Sequence, residues 1–273
     1  MRHLLALAAL AAAVTVPVHA QPAVEAPLGR ALNGVVQRDG LIDYARLARQ
    51  SDDLAAALAA IAATDPASLR TDAQKTAFLL NAYNARVLRL VLDHPRAMHL
   101  ERGDLFGQFF QTRVPVAGLS LTLNELEHGI LRRQDRVDER TLPAAARALR
   151  PSRLDPRLHV GLNCAAVSCP PLRPTPFTAA TVDAELDRAY RAFVASDRAV
   201  RLDGRRLVLS SLFDWFGTDF EGGGQSLGDA LLRAMPRSRA ATFRSRLAGK
   251  SARALKADRS VRFAYDWTVN RAR

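Results

Sequence analysis

A helix that is apolar on every side must be covered on every side, and this chain contains one. Residues 72–93, "DAQKTAFLLNAYNARVLRLVLD", distribute Phe78, Leu79, Leu80, Tyr83, Val87, Leu88, Leu90, Val91 and Leu92 around the whole 3.6-residue period. Thr71, with Gln74 three residues on, forms a capping-box start. The stop falls near His94-Pro95, because a proline disfavours helical geometry in the residue before it. Such a helix is the centre of a domain, and the rest of the chain has to wrap it.

Helices precede it. "SDDLAAALAAIAAT" (51–64) is rich in strong helix formers. Short mixed elements follow. "TRVPVAGLSLT" (112–122) reads as a strand with a turn, and Thr122 with Glu125 opens the helix "LNELEHGILRRQ". "PRLHVGLN" (156–163) has strand composition, "TVDAELDRAYRAFVAS" (181–196) is helical, and "VRLDGRRLVL" is a hairpin turning at Asp203-Gly204. "VRFAYDWTV" closes the chain as a strand. This order predicts a helix-rich, single-domain α+β protein with a small antiparallel sheet.

The first twenty residues, "MRHLLALAALAAAVTVPVHA", have a basic start, an apolar run and small residues before Gln21. That is a secretory signal pattern, with the domain running from 21 to 273 and a periplasmic or secreted destination. No later segment is long and apolar enough for a transmembrane anchor. Losing Arg2 with the leader lowers the net charge from +12 to +11, and residues 233–273, with 12 basic and 2 acidic side chains, carry +10 of it. This basic C-terminal segment is either a solvated helical face or a contact for an anionic envelope surface or polymer. The second would be a partner; nucleic acid is not expected in an exported chain.

Three constellations bear chemistry. Asn81 and Asn84 lie three apart on the buried helix, and an inward amide must find partners. They are either a structural network or one wall of a polar cleft. Glu125, His128 and Arg132 share a helix stripe with Glu127 adjoining, a solvated salt-bridge row unless His128 is a base. Gly129 inside that helix signals a close neighbour. The third stretch, "HVGLNCAAVSCPPLRP" (159–174), holds both cysteines. A regular strand would point His159 and Cys164 to opposite faces.

Cys164 is then a core residue, an activated thiol, or half of a Cys164–Cys169 disulfide, whose small loop would contribute only about 2 kcal/mol. No HExxH, zinc-type cysteine pairing or GxSxG elbow occurs, so no metal or cofactor is expected.

"FLLNAYNARVLRLVLDHP", "LSLTLNELEHGILRR", "DPRLHVGLNCAAVSCPPLR", "SSLFDWFGTDF" and "FAYDWTVN" together resemble the DUF547 family, a domain of unknown function, over roughly residues 40–270. The resemblance implies that Asn81, Tyr83, Asn84, Glu127, His128, His159, Cys164, Cys169, Pro170, Asp266 and Trp267 occupy motif positions, and it implies no activity. A looser likeness in layout is to papain- and transglutaminase-like thiol enzymes, although those place the cysteine at the start of the central helix, where this chain has none.

The leading expectation is a thiol-dependent acyl transferase or hydrolase. Cys164 would be the nucleophile, His128 or His159 the base, Asn81 or Asn84 the orienter or oxyanion donor, and Glu127 a member of the site. The rival is a non-catalytic binding or scaffold module of the cell envelope with a Cys164–Cys169 disulfide.

Overall fold

The predicted central helix runs from Asp72 to Asp93, with thirteen of its residues buried. Its capping box is formed: Thr71 Oγ1 accepts from the Gln74 N–H at 3.2 Å, and Gln74 Oε1 accepts from the Thr71 N–H at 2.9 Å. The computed structural model describes residues 23–101 and 105–272, so the predicted leader at 1–20 lies outside the described residues.

Before the central helix come α1 (Glu25–Leu32), α2 (Tyr44–Arg49) and α3 (Ser51–Ala63); the central helix is α4. After it come α5 (Leu105–Gln111), the β1–β2 hairpin (Val114–Val116, Leu119–Leu121) and a π-helical segment (Glu125–Leu131). The β3–β4 hairpin (Arg136–Val137, Arg140–Thr141), α6 (Ala144–Ala148), α7 (Leu158–Gly161) and α8 (Val182–Val194) follow. The last third holds β5 (Val200–Asp203), β6 (Arg206–Ser210), α9 (Leu212–Trp215), a 3₁₀ turn (Gly217–Phe220), α10 (Leu227–Ala234), α11 (Arg237–Leu247), α12 (Ala252–Ala257) and β7 (Val261–Ala264). No helix among the described residues is long and apolar enough to cross a membrane.

Two apolar centres make up the core of this single α+β domain. The larger is built on α4 with α1, α3 and the π-helical segment. The smaller packs the β5–β6–β7 sheet against α9 to α12. The short helix α7 joins them: Leu158 and Leu162 belong to the first centre and Val160 to the second.

The structure corrects three readings. The sheet is mixed, because β6 pairs antiparallel with β5 but parallel with β7. Its hairpin turns at Gly204-Arg205, one residue later than read, with Gly204 supplying the positive φ of +56°. Residues 158–161 are helical, not extended. Eight residues were too few to separate the two periods, and a remote side chain decides the matter. Asn84 Nδ2 donates to the Gly161 carbonyl at 2.9 Å, and its Oδ1 accepts from the Asn163 N–H at 2.9 Å. Those two bonds satisfy backbone groups where α7 ends.

The chain end is threaded into the centre. Val269 and Asn270 are buried, and Tyr44 donates to Asn270 Oδ1 at 2.8 Å. The segment 266–270 pairs along the cysteine loop through Val167 N–H to Thr268 O, Ser168 N–H to Asp266 O and Asn270 N–H to Ala165 O. Ala165 sits at φ +67°. Its N–H is held by Asn163 Oδ1 at 3.0 Å, so this strained loop is fixed from both sides.

Candidate functional site

A cleft of about 450 Å³ opens where the two apolar centres meet. Helix α4 contributes Tyr83, the π-helical segment and its N-cap contribute Asn124, Glu127 and His128, and the end of α9 contributes Trp215 and Phe216; the cysteine loop and the segment after β7 close the remaining sides.

The π-helical turn explains why Glu127 and His128 both line it. Arg132 N–H bonds to the Glu127 carbonyl, five residues back, at 2.8 Å. This wider turn departs from the stripe that α-helical spacing predicts, and such departures recur at functional sites. Glu125, the first residue of the predicted stripe, is buried elsewhere. It closes the predicted capping box with Thr122 and accepts from Arg113 at 2.9 Å. Gly129 is required by its neighbour: a Cβ there would lie 2.6 Å from Leu142 Cδ1.

Beneath the cleft runs a chain of charged and polar groups. His159 Nε2 donates to Asp219 Oδ2 at 2.8 Å, while its Nδ1 stands 3.7 Å from Glu127 Oε1, too far for a hydrogen bond. Arg132 grips Asp219 with two nitrogens, at 2.6 and 3.1 Å. Its third nitrogen meets His128 Nδ1 at 3.2 Å. Phe216 stacks on the His159 ring, centroids 4.1 Å apart and planes 5° from parallel, and the Arg132 guanidinium lies 4.9 Å from the same Phe216 ring.

The electrostatics follow from these contacts. Burial alone would raise the Asp219 carboxyl, but hydrogen bonds from His159 and Arg132 outweigh it and hold the group down to about 2. Glu127 is likewise lowered, burial being overcome by the two histidines and Arg132. His128 is lowered, chiefly by burial and further by Arg132. It is therefore neutral near pH 7. Since Arg132 has no acceptor, His128 Nδ1 must accept and Nε2 carries the proton. The cleft thus offers an ionised carboxylate beside a neutral N–H donor.

The cysteine sulfurs are 2.22 Å apart, at disulfide-bonding distance. Tyr265 Oη lies 3.1 Å from each of them, and burial pushes that phenol's pKa far up. No imidazole nitrogen among the described residues lies within hydrogen-bond distance of either sulfur.

Of the residues expected in the site, Glu127, His128, His159 and Cys164 line one cleft, together with Cys169, Tyr83 and Trp267. Asn81 and Asn84 do not. Asn81 holds the Phe177 backbone, donating to its carbonyl at 2.8 Å and accepting from its N–H at 2.9 Å. Asn84 does the same for residues 161 and 163, so both amides face backbone rather than the cleft. The reading missed Asp219, Arg132 as its clamp, and Phe216. Asp219 and Phe216 stand inside the quoted "LFDWFGTDF", the only signal available.

Fold and site together define a single-domain α+β protein with a histidine–carboxylate chain under an aromatic-walled cleft. Residues 66–194 match the family model DUF547, described as a protein of unknown function. This bears out the resemblance over that stretch, while the "LFDWF" and "YDW" motifs fall beyond it. No curated protein and no solved structure matches the chain, and the papain-like layout stays a likeness of element order.

Proposed function

We propose that the chain is an exported binding module of the cell envelope, its ligand cleft fixed by a Cys164–Cys169 disulfide. The observation that carries this reading is the surroundings of the sulfurs. They sit at bonding distance from each other, and their shared polar neighbour is the Tyr265 hydroxyl, too weak an acid to serve as a base near neutral pH. A thiol enzyme needs a thiolate and a base to make it. His159 is turned instead toward Asp219 and Glu127.

A second reading rests on Glu127 and His128. An ionised carboxylate beside a neutral imidazole, both lining the cleft, is equipped for acid–base catalysis without sulfur. Under either reading the basic C-terminal segment is a contact for anionic envelope surfaces, through Arg233, Arg237, Arg244, Arg253 and Arg259, all exposed.

Intact mass after maleimide labelling, on protein acid-quenched from its export compartment, tests the main reading. It predicts no label before reduction and two after. Labelling before reduction, rapid near neutral pH, would return the thiol enzyme to first place. For the basic surface, truncation is the wrong tool, because β7 completes the mixed sheet and Val269 is buried. Replacing the five exposed arginines with glutamine should abolish salt-sensitive retention on phosphatidylglycerol vesicles, and unchanged retention discards the idea.

A further inference from the structure

One wall of the cleft is made of three rings in mutual contact. Trp215 comes from the end of α9, and Tyr265 and Trp267 from the segment after β7. Their centroids are 4.8 Å apart for Trp215–Tyr265, 5.5 Å for Trp215–Trp267 and 4.6 Å for Tyr265–Trp267. Trp215 is 42% exposed, unusual for so large an apolar side chain in a chain with this much core. The platform is rigid: Tyr265 rests on both sulfurs, and Asp266 N–H bonds to Ser168 Oγ at 2.7 Å.

Ring spacing and charge narrow what fits. Trp215 and Trp267 are stacked at 28°, and Tyr265 is tilted by 56° and 55° to them. Rings this close leave no slot for an ammonium between them, so they form a packed cluster rather than a cage. Among the described residues no Arg or Lys lines the cleft, although the chain carries +12; Glu101 and Glu127 do line it. Arg132, behind the cleft, is spent on Asp219 and His128. Among the described residues an anionic ligand would meet two carboxylates and no positive partner, which costs more than stacking returns.

What remains needs an apolar face and uncharged groups that both donate and accept. We infer that the cleft binds a neutral saccharide, one ring laid against the exposed Trp215 of this cluster with its hydroxyls on the Glu127 carboxylate, the His128 Nε2–H and the Asn124 amide. The hydroxyls donate to Glu127 and accept from His128, each in the sense its partner requires. The volume of about 450 Å³ lies within the small-ligand range. This inference rests on the reading of the cleft as a ligand site and names the ligand class.

Calorimetry on the mature protein tests it with three neutral probes (maltotriose, cellotriose and N-acetylchitotriose) and three charged ones (glucose 6-phosphate, tetramethylammonium and triarginine). At least one neutral trisaccharide is expected to bind at millimolar or better affinity. Trp215→Ala should weaken it about tenfold and Trp215→Phe should restore most of the loss. Absence of binding by all three trisaccharides, or Trp215→Ala within about twofold of the parent, overturns the saccharide assignment. Binding by tetramethylammonium or triarginine alone overturns it too but leaves a ligand cleft standing. Failure of the disulfide reading would appear separately, in the maleimide masses.

Discussion

Replacing Asp219 with asparagine removes one charge from the middle of the buried chain and little else. The side chain is nearly isosteric and keeps an acceptor oxygen. Arg132 nevertheless loses the ion that compensates it, and its side chain is only 13% exposed. The magnitude can be worked from the carboxyl itself. Lowering it from the ordinary 3.8 to about 2 corresponds to about 2 kcal/mol of differential stabilisation if fully shielded. Some solvent reaches the pair, so about 1–2 kcal/mol is the figure to expect.

The sign of the pH dependence follows. A depressed carboxyl contributes stability above its unfolded value of 3.8, and that contribution is lost as pH falls toward 2. The wild type should therefore exceed Asp219→Asn by about 1–2 kcal/mol at pH 7, and the gap should narrow as pH falls below about 4. Glu127 titrates in both proteins and cancels to first order. Urea unfolding followed by circular dichroism, stepped from pH 7 toward pH 2, reads the gap directly. The companion variant Asp219→Asn with Arg132→Met should recover part of the loss, since it leaves no buried cation unpaired. A gap under about 0.5 kcal/mol at pH 7, or one that does not narrow in acid, would refute the account of the chain as coupled charges.

Two further substitutions separate scaffold from site. Asn84→Ala strands the Gly161 carbonyl and the Asn163 N–H, both buried, and should cost about 2–4 kcal/mol in urea unfolding while leaving ligand affinity within about twofold; a stable variant that has lost binding would move Asn84 into the cleft. Gly129→Ala drives a methyl group into Leu142 and should cost about 1–3 kcal/mol, and combined with Leu142→Ala it should cost clearly less than the sum of the two single losses; strict additivity would place the strain in the π-helical turn itself.

What the sequence disclosed was what short-range rules control. The central helix, its Thr71–Gln74 cap and the Thr122–Glu125 cap depend on residues three or four apart, and all are found. The hairpin before β6 was legible for the same reason, to within a residue. The misreadings fall where the deciding partner is remote. Residues 158–161 are helical with their closing bonds made by Asn84, 77 and 79 positions away. The parallel pairing of β7 depends on a chain path that no local pattern encodes.

The site obeys the same division. Its acceptor and donor, Glu127 and His128, are adjacent in sequence and visible as candidates, yet what makes them functional groups is distant. Asp219 reaches His159 across 60 positions and Arg132 across 87. Without that carboxylate, Arg132 would be an unpaired buried cation beside His128. With it, Arg132 is neutralised and oriented, and its remaining nitrogen fixes His128 as an Nε2–H donor. The cleft's polarity is therefore set by a residue that does not line it, and Asp219→Asn should disturb ligand recognition through His128 as well as stability.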